Sequence, residues 1–392
     1  MHIHLQILDF FVWTLIAAGA LGSAYLWYAC HAVERFCIGT AAAARNQPPV
    51  TILKPLRGED SALAENLRSF CRQDYPAFQI VFGVAEADDP AVPVVRDLMA
   101  EFPALDLALV VDPGRNGANL KIANLGNMLP QARHAVLVIA DSDMRVRRDY
   151  LAAVTAPLAA EQHGPVETGL VTCLYRGISS GGVWSDLACL HINHAFLPQA
   201  LVAARLGLGA GCFGATMALK RSTLEAAGGL DALANQLADD HALGQAVNRL
   251  GFGVVLSPYL VDDIVGEAGF RALFRHELRW ARTIRLVAPA GFLGSMIVYP
   301  VPFALLAVAL GAAPGASLGM LLVAWVSRHV TARRIDRALG VKRAAWWLLP
   351  LRDLLSFAVF VASFFGRQVA WRDRKFRIGP SGQLMIDGQS PV

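Results

Sequence analysis

The sequence predicts an α/β domain with a mostly parallel sheet, flanked by transmembrane helices. Three observations carry this expectation. Short apolar strands alternate with helical patterns between residues 50 and 140, an order that lays helices over a parallel sheet. Long uncharged runs lie at 10–30 and 286–327, each long enough to enter a bilayer. Finally, 55% of the 392 residues are hydrophobic and 17% charged, whereas soluble domains are about 45–50% apolar and about 25% charged.

The composition also excludes several classes. Disordered chains are polar and highly charged. The 34 glycines and 20 prolines follow no triplet period, which rules out a collagen-like chain. The net charge is 35 − 31 = +4, with basic residues gathered after position 270 beside apolar runs. That placement suits cytoplasmic membrane flanks better than a nucleic-acid surface. Cys30, Cys37, Cys71, Cys173, Cys189 and Cys212 form no C-x-x-C pair and no zinc-spaced cluster. Scattered thiols of this kind suit a reducing compartment.

Residues 10–30 carry no charge and span a bilayer by length. No Lys or Arg precedes them, so a secretory leader is a poor match, although the small residues 41–44 resemble a cleavage site. Arg35 and Arg45 then orient the chain with its start outside and residue 35 onward in the cytoplasm. Strands are expected at 50–53, 79–84, 107–111 and 136–140. Leu63, Leu67 and Phe70 mark one helix face, and Val94, Val95, Leu98 and Met99 another. The run 286–327 is about two spans long, and Pro314-Gly315 punctuates it, which reads as a helical hairpin. Arg328, Arg333, Arg334, Arg337, Lys342 and Arg343 follow as a basic loop. Residues 344–366 are apolar but contain Arg352 and Asp353, expected to pair or to face protein. Arg367, Arg372, Arg374, Lys375 and Arg377 form a basic tail.

The expected organisation is a short outside N-terminus (1–9), a transmembrane helix (10–30), a linker (31–49) and a cytoplasmic α/β domain (50–270). An amphipathic interfacial helix (271–287), a transmembrane hairpin (288–327), a basic loop (328–343), a transmembrane or re-entrant segment (344–366) and a basic tail (367–392) complete it.

Acidic pairs stand where strands end or helices begin. Asp141-Ser-Asp143 follows the fourth strand directly. Carboxylates there point into the ligand crevice of a parallel sheet, and two of them can grip one Mg²⁺ or Mn²⁺ ion. A lone D-x-D also fits a solvated turn or a helix cap. Asp88-Asp89-Pro90 equally reads as a turn, and Asp239-Asp240 as an acidic pair favoured by a helix N-terminus. Asp262-Asp263 reads as surface. Lys121 follows a glycine-containing turn and is either a surface lysine or a phosphate counter-charge. Arg275 and Arg279 share a helix face with Trp280 close by. They suit an interfacial helix, a diphosphate clamp beside an acceptor pocket, or both. The histidines lack carboxylates at ligand spacing, so no zinc site is expected.

The ordered set Asp89, Asp141-Ser-Asp143, Asp240 and Arg279-Trp280 resembles the inverting family-2-like glycosyltransferases with the GT-A fold. Leu53-Lys-Pro-Leu-Arg-Gly58, Asp88-Asp-Pro90 and Leu237-Ala-Asp-Asp240 bring it nearer the ceramide glucosyltransferase branch. Leu170-Val-Thr-Cys-Leu-Tyr-Arg176, the stretch from Arg275 to Arg285, and Pro350-Leu-Arg-Asp-Leu-Leu355 resemble bacterial hopanoid-biosynthesis-associated glycosyltransferases. The resemblance implies a GT-A catalytic domain at 50–270 and assigns roles. Asp89 lies near the nucleotide, Asp141 and Asp143 hold a divalent metal, and Asp240 is the general base. Arg279 and Trp280 end a (Q/R)-x-x-R-W motif, from which this chain departs with His276 in the first position and Arg275 beside it.

The resemblance further implies a UDP-sugar donor and a lipid acceptor. The leading expectation is transfer of N-acetylglucosamine from UDP-N-acetylglucosamine to a hopanoid polyol, bacteriohopanetetrol. The alternative is UDP-glucose and ceramide, and a processive synthase or a non-catalytic scaffold stands further off. The setting implied is a bacterial inner membrane, multi-pass, with the catalytic domain cytoplasmic.

Overall fold

The computed structural model describes residues 2–39, 46–58, 62–114, 116–160, 166–208, 211–342, 345, 347–366, 368–371, 374–378 and 384–386. Residues 41–44, Arg45, Arg343, Arg367 and Arg372, named in the sequence reading, lie outside these. Two compact units emerge. One comprises Gly39–Ser180, Gly207–Gly266 and Gln368–Val392, the other Met1–Ile38, Gly181–Leu206 and Glu267–Arg367.

The first unit is built on an eight-stranded sheet. Its strands are β1 (Val50–Pro55), β2 (Phe78–Val84), β3 (Asp106–Val111), β4 (Val136–Ile139), β5 (Met144–Arg145), β6 (Thr168–Ser179), β7 (Met217–Lys220) and β8 (Gly253–Val265). The spatial order is β3-β2-β1-β4-β7-β6-β8-β5. Pairs β1–β2, β2–β3, β1–β4 and β6–β8 are parallel, while β7 runs antiparallel to β4 and β6, and β5 to β8. The four strands legible in the sequence lie within about two residues of their expected limits.

Alternation along these strands divides the core into two layers. Ile52, Ile80, Phe82 and Val138 pack with Leu67, Phe70, Val95 and Leu98 on one face. Leu53, Val81, Leu137 and Ile139 pack with Ile122, Leu125 and Val247 on the other. The helices Leu63–Cys71 and Ala91–Glu101 bury the faces read from their spacing. A separate three-stranded antiparallel sheet joins Gln368–Trp371, Arg374–Ile378 and Leu384–Ile386.

The second unit is helical. Its first helix, His2–Cys37, is longer than the predicted span. Among the described residues two helices are long and apolar enough to cross a membrane, Gln6–Cys37 and Val183–Arg205. Pro289–Val298 and Pro300–Ala309 form a further candidate, bent by 65°. Val183–Arg205 corrects the reading of 50–270 as one uninterrupted α/β domain, because Gly181–Leu206 belongs to the helical unit. The hairpin also breaks differently. Pro289, Pro300 and Pro314 each start a helix, where a missing N–H costs nothing. The last of these helices, Pro314–Leu339, carries residues 328–339 of the expected basic loop as helix.

Several charged side chains in this unit are paired across helices. Arg352, 1% exposed, meets Glu277 in a two-pronged pair at 2.6 and 2.7 Å and donates to Ser356 Oγ at 3.0 Å. Arg328 binds Asp353 at 2.9 and 3.0 Å, and His194 Nε2 lies 2.6 Å from Asp336. Arg334 grips Glu34 at 2.8 and 2.7 Å. Arg352 and Asp353 thus face protein, as expected, but each pairs with another helix rather than with its neighbour. Buried charges persist where they are paired and hydrogen-bonded.

Removing one partner strands the other in an apolar site, at about 3–5 kcal/mol. Glu277→Ala is therefore expected to lower the thermal midpoint of the purified protein markedly. Thermal scans in detergent check this; a midpoint equal to wild type would contradict the buried pairing.

Candidate active site

The α/β unit gathers its charged residues at the carboxyl ends of β1, β2 and β4, where parallel sheets bind ligands. Lys54, near the end of β1, is fully buried. Its ammonium lies 3.8 Å from the centre of the Phe70 ring and donates to the Asp141 carbonyl. That contact fixes the chain as it leaves β4 and turns through Asp141-Ser-Asp143 into β5. Ile264 N then donates to the Asp143 carbonyl at 3.1 Å.

Lys121 is the charge partner at the centre. Its Nζ lies 2.6 Å from Asp141 Oδ1 and 3.6 Å from Asp239 Oδ2. Asn119 explains its placement. The Asn119 side-chain oxygen caps the helix Leu120–Met128, accepting from Lys121 N and Ile122 N at 3.0 and 3.1 Å. Its Nδ2 donates to the Gln236 carbonyl at 2.8 Å and approaches Asp239 Oδ1 at 3.4 Å. One side chain thereby ties the lysine to the segment entering Asp239-Asp240.

Asp240 sits in the first turn of the helix Asp239–Arg249. Its Oδ1 accepts from His241 N at 2.7 Å and its Oδ2 from Gly214 N at 2.9 Å. A carboxylate offers about four lone-pair sites, so these bonds orient the group and leave acceptor capacity. Burial and then the Asp239 charge push its pKa up, against Lys121 and the two N–H donors, to about 6. Burial pulls the Lys121 ammonium down, but Asp141, Asp239 and Asp240 together outweigh it and hold it charged.

Gly214 closes this cluster. A Cβ there would stand 3.2 Å from Asp141 Oδ2, 3.2 Å from Lys121 Nζ and 3.6 Å from Asp240 Oδ2. Buried Thr172 of β6 holds the preceding residue, accepting from Phe213 N at 2.9 Å. Tyr175, further along β6, has its phenol pushed well up by burial and then by Asp263, Asp240, Asp143 and Asp141.

Asp89 does different work. Both its oxygens accept from Gly58 N, at 2.9 and 3.0 Å, and Oδ1 accepts from Ala91 N at 2.9 Å. It joins the Leu53–Gly58 stretch to the start of the next helix, so the turn reading describes its contacts. Asp262-Asp263, read as surface, is corrected. Asp263 is 8% exposed, and Asp262 binds Arg176 at 2.6 Å. The β5–β8 pairing, Met144↔Asp263 and Arg145↔Asp262, draws them in.

Among the described residues no three His, Cys, Asp or Glu side chains converge as a metal cage. Asp141 and Asp143 offer carboxylate oxygens only, which suits a hard cation held by one or two carboxylates and completed by water and substrate phosphate. The donor set therefore fits a Mg²⁺- or Mn²⁺-type ion.

Arg275, Arg279 and Trp280 lie in the helical unit on the helix Phe270–Val287. Arg275 is exposed, and its Nε donates back to the Arg271 carbonyl at 3.2 Å. Arg279 and Trp280 are half-buried. His276 Nδ1 lies 2.9 Å from Glu267 Oε1, and its ring meets the Trp280 ring with centroids 4.4 Å apart.

Asn119, Thr172, Gly214 and Asp239 escaped the sequence reading as individual site residues. Asn119 was recoverable as an N-cap one residue before a helix. Gly214 and Thr172 leave no comparable signal, because their role comes from contacts far along the chain.

The sheet order with its carboxylate-lined edge defines an α/β protein of the GT-A class, flanked by apolar helices. A mannosyltransferase from Pyrobaculum calidifontis, solved with GDP-Man and Mn2+, shares this fold. Its TM-score is 0.53 at 21% identity, over 91% of this chain and 99% of that one. The chain belongs to glycosyl transferase family 21, whose profile matches residues 14–384, and it is a sugar transferase. Ceramide glucosyltransferases 3 and 1 of Caenorhabditis elegans are each 22% identical. They cover 86% and 88% of this chain and 74% of their own lengths. A ceramide glucosyltransferase of Candida albicans is 31% identical over 107 residues, 24% of this chain and 20% of its own.

Gly214→Ala crowds the Lys121–Asp141 pair and must shift it by a few tenths of an ångström. Small misplacements near reacting groups are costly, so sugar transfer is expected to fall on the order of tenfold or more. Steady-state rates alongside circular dichroism check this. A fully active, folded variant would show that the cluster tolerates displacement.

Proposed function

We propose that this chain is an inverting lipid glucosyltransferase that moves glucose from UDP-glucose to a hydroxyl of a ceramide-like lipid. The family and its ceramide glucosyltransferase relatives favour this reading over the expectation of N-acetylglucosamine and a hopanoid polyol. The observation that carries the chemistry is Asp240. It is a partly buried carboxylate fixed by two N–H donors, raised toward neutrality and set beside an ammonium and further carboxylates.

The reaction is a single in-line displacement at the anomeric carbon. Asp240 accepts the proton of the acceptor hydroxyl as the new C–O bond forms. The bond to the UDP oxygen breaks on the opposite face, UDP leaves with the electron pair, and the configuration inverts. A base works best when its pKa lies near the operating pH, which the raised value provides. Lys121 supplies a fixed positive charge near the leaving diphosphate. Asp141 and Asp143 would hold the divalent ion, and when bound that ion neutralises diphosphate charge. Asp89 shapes the nucleotide side by fixing the Leu53–Gly58 stretch. Arg275 and Arg279 are assigned to the diphosphate, and Trp280 to the acceptor. Membrane attachment through the apolar helices brings such an enzyme to its acceptor.

The discriminating experiment is mass analysis of lipid products. Membranes containing the protein are offered UDP-glucose or UDP-N-acetylglucosamine with ceramide or hopanoid polyol. Glucosylceramide is the expected product; an N-acetylglucosaminyl hopanoid would restore the other lipid reading, and a polymer would point to a synthase. Asp240→Asn is expected to abolish transfer while UDP still binds, so an active variant would remove Asp240 as the base.

The sign of the pH dependence follows from the same group. Asp240 must be ionised to take a proton, so kcat/KM should drop as pH falls through about 6. A flat profile across roughly pH 5 to 8 would contradict it. Chelation by EDTA should stop turnover and Mg²⁺ or Mn²⁺ restore it; undiminished activity in metal-free protein would dismiss the metal role.

A further inference from the structure

His276 is the position at which this chain leaves the R-W pattern, and its surroundings show what replaces the usual side chain. The imidazole stands one helical turn before Trp280. Nδ1 lies 2.9 Å from Glu267 Oε1, and the ring meets the indole at 60°, with centroids 4.4 Å apart. Glu267 is anchored in turn. Its side chain is 10% exposed, and its N–H donates at 2.9 Å to the Oγ of Ser185, itself 1% exposed. Ser185 lies on the helix Val183–His191. A line of contacts therefore runs from the buried Ser185 through Glu267 and His276 to the indole.

A carboxylate on one imidazole nitrogen sets both tautomer and ring orientation. Here the assignment is Nδ1–H donated to Glu267, which prevents the ring from swinging away from Trp280. A long flexible side chain in the same position could reach a substrate directly but could not brace an indole edge-on.

We propose that His276, locked by Glu267, is the positioning residue for Trp280 and sets how the indole meets the lipid acceptor. The inference rests on the acceptor role proposed for Trp280. It predicts a coupled pair, because Glu267 acts on Trp280 only through the imidazole. A merely structural role would lower thermal stability and leave the acceptor KM unchanged.

The test uses the full-length protein in detergent with UDP-glucose and ceramide. The variants are His276→Ala, His276→Gln, Glu267→Gln and the double variant His276→Ala/Glu267→Gln. His276→Ala is expected to raise the ceramide KM about three- to tenfold, the range for losing one edge-to-face aromatic contact, with the UDP-glucose KM little changed. His276→Gln keeps a donor for Glu267 but sets no ring against Trp280, so it should leave the ceramide KM as high as His276→Ala does. Glu267→Gln should raise the ceramide KM in the wild-type background and add nothing once His276 is alanine. An unchanged ceramide KM in folded His276→Ala, or fully additive effects, overturns the inference while leaving the lipid glucosyltransferase reading intact. Wild-type protein that transfers sugar to no lipid overturns both.

Discussion

One ammonium among three carboxylates governs the α/β unit. Asp141 arrives from β4, while Asp239 and Asp240 arrive at the start of a helix almost a hundred residues later. Like charges this close raise one another's pKa in a partly buried site. Lys121 offsets that repulsion and lies against Asp141 and Asp239. Asp240 is left as the carboxylate whose affinity for a proton is raised, and it is the one held by two backbone donors. The division of roles is electrostatic. Asp141 spends one oxygen on the ammonium and has its other free for a cation, while the crowded Asp240 becomes the base.

The surrounding structure keeps this balance fixed. Lys54 and Asn119 are fully buried, and neither presents its charge or amide to solvent. Lys54 sets the chain at Asp141, and Asn119 sets Lys121 against the Gln236–Asp239 segment. Gly214 is small because three charged groups already occupy the space a side chain would need. Catalytic groups held in this way need little reorganisation when charge develops.

The sequence disclosed the elements whose signal is local. β1 to β4 read as continuous apolar runs because strands of a parallel sheet are buried on both faces. β6 and β8 did not, since Tyr175-Arg176 and Asp262-Asp263 interrupt them with residues that pair only across the sheet. Val183–Arg205 was hidden similarly. Asp186, His191, Asn193 and His194 dilute its apolar pattern, and His194 finds Asp336 142 positions away. Asp141 and Asp240 were marked by their places after a strand and before a helix. That Lys121 joins them is a fact of folding, invisible at a spacing of 20 residues.

The helix bearing Arg279-Trp280 shows how a distant motif gains meaning. Neighbouring residues on an α-helix project about 100° apart. Glu277 points into the bundle and is held by Arg352 from the Pro350–Leu355 stretch. His276 points elsewhere and is held by Glu267. A single anchor would leave a helix free to roll about its axis, whereas two anchors on different faces fix its rotation. The direction of Arg279 and Trp280 is therefore set by two carboxylates, one nine positions before the imidazole and one immediately after it, neither of which belongs to the R-W pair. Arg352, one of the two charges that stand out in the last apolar segment, supplies the other half of the Glu277 anchor, while its neighbour Asp353 binds Arg328.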